Sequence, residues 1–187
     1  MSKIYVISDT HFDHENILKF LDKDGNKFRG ELFQNAKEMN EAIIRNWNNI
    51  VKPEDHVYHL GDVYFGSSER ADNILSRLVG KKRLILGNHD DGKDPVLQKH
   101  FQKILMWRKW PEFNCILSHC PLHISSLYGK TLFNVHGHIH EKVIKHNSYI
   151  NVSVEQIGYT PILLETLIAS RPTPKAVDLD QISQLME

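Results

Sequence analysis

Three histidines stand at alternate positions in the run Val-His-Gly-His-Ile-His at residues 135–140. If this run is an extended strand, His136, His138 and His140 point to the same side, because side chains alternate between faces along a strand. Two neighbours would then lie about 6.5 Å apart, so that each imidazole could hold a different ion of a close metal pair. The alternative is a polar strand with solvated histidines, and the other clusters in the chain decide between the two.

Four other clusters place metal-binding residue types directly after short apolar runs. The pairs are residues 4–7 before Asp9 and His11, 57–60 before Asp62, 84–86 before Asn88 and His89, and 115–118 before His119. Continuous apolar runs are typical of parallel strands buried on both faces. Ligands of open α/β sheets gather beyond the carboxyl ends of the strands, so we expect these clusters to converge at one edge.

The donor types themselves indicate the metal. Carboxylate oxygen, amide oxygen and imidazole form a hard-to-borderline set. This set suits Mn²⁺, Fe²⁺ or Zn²⁺ rather than a thiolate-seeking ion. Our prediction is two divalent ions, with Mn²⁺ first and Fe²⁺, Zn²⁺ or Ni²⁺ as alternatives. Two such ions about 3.5–4 Å apart lower the pKa of bound water from about 15.7 toward 7 and orient a phosphate group for attack. Cys120 stands beside His119, but a thiolate is not expected in such a set.

The predicted elements alternate between strands and helices early in the chain and pair strands later. Predicted strands cover residues 3–8, 57–60, 82–86, 104–110, 113–118 and 132–135, with one or two more within 143–154. Predicted helices cover residues 15–21, 36–50, 67–79 and 161–169, and another begins at 94–95. Asn35 followed by Glu38 indicates a capping box, and Trp47 lies on the apolar stripe of the 36–50 helix. The pattern predicts an α/β fold with some antiparallel pairing.

Length and composition favour one domain over residues 1–187. The 23 basic residues balance the 23 acidic ones, so a broad nucleic-acid surface is not indicated. No apolar run approaches the roughly 20 residues of a membrane span, and none resembles a signal peptide, so we expect the cytosol. The oligomeric state is not indicated. Residues 171–187 form either a docked helix or a flexible tail.

Several polar residues near these clusters have two interpretations. His59 and His136 are expected in the core or orienting ligands, whereas His14 and His123 are either surface residues or substrate contacts. The polar loop at residues 22–31 is interpreted as a mobile surface excursion. The alternative for this loop is a flap that offers Lys27 or Arg29 to an anionic substrate.

The order of the motifs resembles that of the calcineurin-like metallophosphoesterase family. The motifs are Asp-x-His at 9–11, Gly-Asp at 61–62, Gly-Asn-His-Asp at 87–90, His119 and Gly-His-x-His at 137–140. Gly-Asn-His-Asp and Gly-His-x-His in this order are highly specific, and the resemblance spans residues 3–151. Within the family the chain resembles the small stand-alone bacterial and phage members, through Ser-Asp-Thr-His-Phe at 8–12 and Tyr-His-Leu-Gly-Asp at 58–62.

This resemblance implies two packed mixed sheets flanked by helices and a two-metal site. One ion would be held by Asp9, His11 and His140, the other by Asn88, His119 and His138, with Asp62 as the bridge. His89 would contact the phosphate and protonate the leaving group, and Asn88 would also face the substrate. Residues 63–66, Val-Tyr-Phe-Gly, replace the Asp-Arg-Gly extension of protein serine/threonine phosphatases, which argues against that activity.

The predicted activity is hydrolysis of a small or nucleotide-type phosphodiester. Hydrolysis of phosphomonoesters by the same site is the first alternative. A metal-binding or partner-binding module that has lost turnover is the second, disfavoured because all eight matching positions are present. A nuclease acting on long nucleic acids is disfavoured by the balanced charge.

Overall fold

The computed structural model describes residues 2–27 and 29–174. The strands are β1 Ile4–Ile7, β2 His56–His59, β3 Lys81–Ile85, β4 Ile104–Leu105, β5 Trp107–Trp110, β6 Cys115–Ser118, β7 Phe133–His136, β8 Tyr149–Asn151 and β9 Ile162–Leu163. The α-helices are α1 Ala36–Ile50, α2 Ser68–Ser76, α3 Pro95–His100 and α4 Leu164–Ala169. Most of the predicted tail at 171–187 lies outside the described residues.

The strands form two mixed sheets. The first has the order β4-β3-β2-β1-β9, in which only β9 runs antiparallel to its neighbour. The second has the order β5-β6-β7-β8, in which β5 is the antiparallel edge strand. The sheets pack face to face through apolar side chains such as Val6 and Tyr58 from the first sheet and Leu117 and Val135 from the second. The predicted fold of two packed mixed sheets is confirmed.

Helix α1 shows how the sequence determines the outer layer. The side chain of Asn35 caps the helix by accepting from the backbone N–H of Glu38 at 2.9 Å, as the sequence predicts. One face of α1 then packs on the first sheet, where Trp47 is fully buried. The Trp47 Nε1–H donates to the carbonyl of Val79 at 2.8 Å, which ties α1 to the segment after α2.

Three predicted elements differ from the structure. The run at 104–110 divides at Met106, because β4 completes the first sheet and β5 starts the second. The segment predicted as helix 161–169 begins as strand β9, which pairs with β1 before α4 starts. The predicted helix 15–21 is a 3₁₀ helix over Glu15–Lys19. In the first two cases pairing with a distant strand overrides the local pattern.

Within the described part of the chain, the helices are all too short or too polar to traverse a lipid bilayer.

His59 is a core histidine held in its neutral form. Its Nε2 lies 2.9 Å from the hydroxyl of Thr10, and its Nδ1 accepts from the backbone N–H of Gly61 at 3.2 Å. Burial, with a smaller contribution from His119, lowers the pKa of His59 to about 3. An unfolded histidine has a pKa of about 6.5, so below that pH the unfolded state binds a proton that the folded state excludes. The stability contributed by neutral His59 is therefore lost progressively as the pH falls from 6.5 toward 3.

We expect this linkage to appear in unfolding measurements on metal-free protein. Between about pH 7.5 and pH 5, wild type should lose about 2 kcal/mol more unfolding free energy than His59→Gln, because glutamine does not titrate. Urea unfolding at the two pH values measures the difference. Replacing exposed His146 by glutamine is the control and should leave the wild-type pH dependence. Equal losses in wild type and His59→Gln would contradict the neutral buried state.

Candidate metal centre

All the predicted metal ligands lie in loops that follow strands. Asp9 and His11 follow β1, Asp62 follows β2, Asn88 follows β3, His119 follows β6, and His138 and His140 follow β7. Ser8 joins the ends of the two sheets, since its N–H donates to Val152 O at 2.9 Å and its carbonyl accepts from Val154 N at 3.1 Å. The two sheets therefore present these loops at one common edge.

Five of the predicted ligand residues have a left-handed backbone. The angle φ is 58° at Asp9, 45° at His11, 57° at Asp62, 70° at His138 and 50° at His140. Such angles are uncommon for residues other than glycine, cost on the order of 1–3 kcal/mol each and cluster at functional sites. Their concentration at this edge indicates that the fold holds these side chains in place against a local backbone preference.

The run at 135–140 is not the single extended strand that its alternation predicts. Strand β7 ends at His136, whose buried ring contacts the Gly137 carbonyl through Nδ1 at 2.9 Å. The N–H of Ile139 donates to Gly137 O at 2.9 Å, which closes a tight turn. The prediction that the three histidines share one face of a strand is therefore wrong. His138 and His140 occupy left-handed turn positions instead, and His136 stays in the core.

Asp9, His11 and His140 form the first donor cluster. One donor atom from each lies within 4.8 Å of the others, and Asp9 Oδ1 is 4.0 Å from Nε2 of both histidines. Both ring nitrogens of His11 are buried without a hydrogen-bond partner among the described residues. Burial, with the Arg29 guanidinium adding to it, lowers the pKa of His11 well below its usual value. A neutral, unpaired imidazole beside a carboxylate fits a divalent metal ion.

Asn88, His119 and His138 form the second donor cluster. Asn88 Oδ1 lies 2.8 Å from His119 Nε2 and 2.9 Å from His138 Nδ1, and the two nitrogens are 3.2 Å apart. His119 Nδ1 is 2.7 Å from the carbonyl oxygen of Leu60, which assigns the proton to Nδ1. His119 Nε2 and Asn88 Oδ1 face each other at a distance at which both can bind one metal ion, so this cluster also fits a metal ion.

Asp62 lies between the two clusters. Its Oδ2 is 3.6 Å from His11 Nε2 and 3.5 Å from His119 Nε2, so one carboxylate oxygen faces a ligand of each cluster. Its Oδ1 accepts from the backbone N–H of His89 at 3.1 Å. The geometry agrees with the bridging role that the resemblance implies.

Two residues that the sequence analysis did not single out hold these loops. Asp90 accepts from the backbone N–H groups of Asp62 at 2.9 Å and Gly87 at 2.8 Å, and so links the loops after β2 and β3. Ser153 donates to Asp9 Oδ2 at 2.9 Å, which leaves Asp9 Oδ1 toward the first cluster. The carboxylate at the end of Gly-Asn-His-Asp was a signal for Asp90, whereas no sequence signal marked Ser153.

Arg29 is buried and has neither role considered for the 22–31 loop. Its Nε and a terminal nitrogen each lie 2.6 Å from Glu155 Oε1, and a terminal nitrogen also donates to Asp9 O at 2.6 Å. Glu155 Oε1 in turn lies 3.0 Å from His140 Nδ1. Burial alone would raise the pKa of Glu155, but Arg29 and His140 hold it below its usual value. Both the solvated and the substrate-facing interpretations of Arg29 are therefore wrong, while Lys27 is exposed.

His89 and His14 lie beside the first cluster, and the rings of both contact Phe65. The Phe65 ring is 4.8 Å from the ring of His89, 4.1 Å from that of His14 and 5.0 Å from that of His11, centroid to centroid. Burial lowers the pKa of His14, and Arg29 adds to this effect. His89 itself is exposed. A substrate at the two clusters could thus reach both histidines.

His123 and Cys120 have different contacts from those of His89 and His14. The exposed His123 bonds through Nδ1 to the hydroxyl of Ser125 at 2.8 Å, at the start of a short 3₁₀ helix. The Cys120 sulfur lies within 4.8 Å of donor atoms of His119 and His138. Burial raises the pKa of the Cys120 thiol, and Asp62 and Asp9 raise it further, so the thiolate is disfavoured. Cys120 is therefore a neighbour of the second cluster.

Three known proteins are similar to the chain in sequence. An uncharacterized protein of Methanocaldococcus jannaschii is 34% identical over 179 residues, which cover 90% of each chain. The Gene 66 protein of Mycobacterium phage L5 is 31% identical over 99 residues, covering 51% of this chain and 43% of the phage protein. The Gene 66 protein of Mycobacterium phage D29 is 26% identical over 174 residues, covering 78% of this chain and 82% of the phage protein.

The structural comparison extends across nearly the same region. The crystal structure of a protein of unknown function from Aquifex aeolicus superimposes with a TM-score of 0.67 at 29% identity, covering 87% of this chain and 95% of that one. A family model described as calcineurin-like phosphoesterase matches residues 2–178. The chain therefore belongs to the calcineurin-like phosphoesterase family, a family of metal-dependent phosphoesterases.

Proposed function

We propose that this chain is a two-metal phosphodiesterase that hydrolyses small or nucleotide-type phosphodiesters, with Mn²⁺ as the preferred ion. The observation that carries the proposal is the pair of donor clusters that share Asp62 Oδ2, which lies 3.6 Å from His11 Nε2 and 3.5 Å from His119 Nε2. Two divalent ions bound there supply a nucleophile at neutral pH and offset the charge that develops on the phosphate. The mixed oxygen and nitrogen donors support Mn²⁺ over softer ions.

His89 is the proposed general acid. Its backbone N–H donates to Asp62 Oδ1, and its ring lies 4.8 Å from the ring of Phe65 and 6.1 Å from the ring of His11, centroid to centroid, so the side chain is beside the first donor cluster. In this role a ring nitrogen of His89 gives its proton to the leaving oxygen. His14, whose ring stacks on Phe65, is the proposed additional substrate contact. Substrate binding by His123 stays a prediction.

The charge beside His89 supports a small substrate. A cleft next to His89 is lined by Asp90, Asp91 and Asp94. Three carboxylates repel the successive phosphates of a long nucleic acid, whereas a single phosphodiester can stay at the clusters. The cytosolic location also stays a prediction from the sequence.

We expect His89→Asn to keep two metal ions and to lose turnover by about 10²–10⁴-fold, the usual contribution of a general acid. The ions are retained because the His89 side chain belongs to neither donor cluster, and asparagine keeps the backbone N–H that Asp62 accepts. Metal analysis beside hydrolysis of a cyclic nucleotide, whose alkoxide leaving group needs a proton as 4-nitrophenolate does not, measures both quantities. His146→Asn, at an exposed position outside the clusters, is the matched control. Wild-type turnover in His89→Asn would remove this residue from the mechanism.

The proposed activity itself is tested with a substrate panel. The protein is stripped of metal, reloaded with Mn²⁺, Ni²⁺, Zn²⁺ or Mg²⁺, and assayed with phosphomonoesters, phosphodiesters and cyclic nucleotides. We expect the highest kcat/KM for phosphodiesters with Mn²⁺. A preference for monoesters would overturn the diester assignment, and two bound ions without turnover of any ester would indicate a binding module.

A further inference from the structure

An uncharged cleft adjoins the second donor cluster. It has a volume of about 300 Å³, and two proposed ligands, Asn88 and His119, form part of its wall. The rest of the wall consists of Leu86, Gly87, Met106, Trp107, Ser118, Cys120 and Leu122. No Asp, Glu, Lys or Arg is among these residues, in contrast to the aspartate-lined cleft beside His89. A group bound here would contact mainly apolar side chains while its phosphate reached the metal ligands.

Trp107 and Met106 are the large exposed side chains of this cleft. Trp107 is 58% exposed and Met106 is 67% exposed. They stand where the chain passes from β4 to β5, so the backbone on each side is paired within a sheet. In the register of β5 and β6, Trp107 lies opposite Ser118. Ser118 is the residue that precedes His119. The sheet therefore holds the Trp107 backbone at a fixed position beside the second cluster.

We infer that this cleft binds an apolar or aromatic ester group of the substrate, with the Trp107 side chain as its main contact. The inference rests on the proposed phosphodiesterase function. A phosphodiester carries two organic groups, of which the leaving one must lie near the general acid, and His89 is not part of the cleft wall. The cleft therefore takes the group that stays on the phosphate. A phosphomonoester has no such group, which is why this cleft favours a diester.

Two diesters with the same leaving group isolate the effect of the cleft. Bis(4-nitrophenyl) phosphate and methyl 4-nitrophenyl phosphate both release 4-nitrophenolate, and they differ only in the group that stays. We expect Trp107→Ala to lower the ratio of kcat/KM for the aryl over the methyl substrate by about tenfold relative to wild type, since aromatic stacking and burial are lost. Trp107→Phe should retain most of the wild-type ratio.

The control is Val143→Ala, which alters an apolar side chain that is 66% exposed outside the cleft wall and should leave the ratio unchanged. An equilibrium measurement keeps this test separate from the proposed activity. Phenyl phosphate and methyl phosphate are analogues of the product, in which the group that stays is still attached to the phosphate. Titration calorimetry on Mn²⁺-loaded protein should show phenyl phosphate binding more tightly than methyl phosphate, with the preference lost in Trp107→Ala. The same aryl preference in Trp107→Ala and wild type, in turnover or in binding, overturns the inference. Absence of turnover in wild type with this binding preference intact would contradict only the proposed function.

Discussion

Asp62→Asn should release both metal ions and reduce phosphodiester turnover by at least on the order of a thousandfold, because several kcal/mol of charge stabilisation is lost with them. One Asp62 oxygen faces His11 and His119, which belong to different donor clusters. Removing its negative charge therefore weakens both positions at once. Asparagine is a better test substitution than alanine at this position. The angle φ is 57° there, and asparagine tolerates a left-handed backbone better than alanine does.

Metal content after dialysis, measured beside hydrolysis of bis(4-nitrophenyl) phosphate, checks this expectation. Asp24→Asn, a substitution of an exposed carboxylate in a surface turn, is the control and should keep two equivalents. Circular dichroism should show the same fold in both variants. If Asp62→Asn still binds two equivalents with wild-type affinity, the shared carboxylate is not the bridge between the clusters.

The placement of each cluster after a strand could be predicted from the sequence, because it depends on one local feature. An apolar run followed by Asp, Asn or His places the polar side chain beyond the end of a buried strand, as for Asp9 after β1 and His119 after β6. The two mixed sheets follow from the same runs together with the family resemblance. The capped helix α1 likewise depends on neighbours within three residues, Asn35 and Glu38.

The parts that the sequence did not show depend on distant partners or on backbone angles. Arg29 is buried because it meets Glu155, 126 residues later, and a polar loop gives no indication of that contact. His138 and His140 have the alternation of a strand, but the turn after Gly137 places both in the left-handed region. The cleft at Trp107 exists because the chain changes sheets at Met106, although residues 104–110 look like one strand.

Arg29→Met should reduce the free energy of unfolding of the metal-free protein by about 3–5 kcal/mol, the usual cost of breaking a buried ion pair from one side. The Arg29 side chain is fully buried and that of Glu155 is 6% exposed. Methionine fills similar space but leaves the Glu155 carboxylate without its counter-charge, and the carbonyl of Asp9 loses a donor. Adding Glu155→Gln to Arg29→Met should recover part of the loss, because no buried charge then remains. Denaturant unfolding of the two single variants and the double variant measures these differences.

The surface pair Arg77–Glu41 provides the matched control. It has the same chemistry, with nitrogen–oxygen distances of 2.7 and 2.6 Å, but both side chains are more than 40% exposed. Arg77→Met should therefore reduce the free energy of unfolding by at most about 1 kcal/mol.

Glu155→Gln should also affect metal binding, because Glu155 contacts His140 Nδ1. We expect it to weaken the metal position that contains His140 by about 10–100-fold, while the other position, built on Asn88, keeps its affinity. Equal weakening of both metal positions would mean that Glu155 supports the whole edge. Equal losses of unfolding free energy in Arg29→Met and Arg77→Met would show that burial of the Arg29–Glu155 pair contributes nothing to stability.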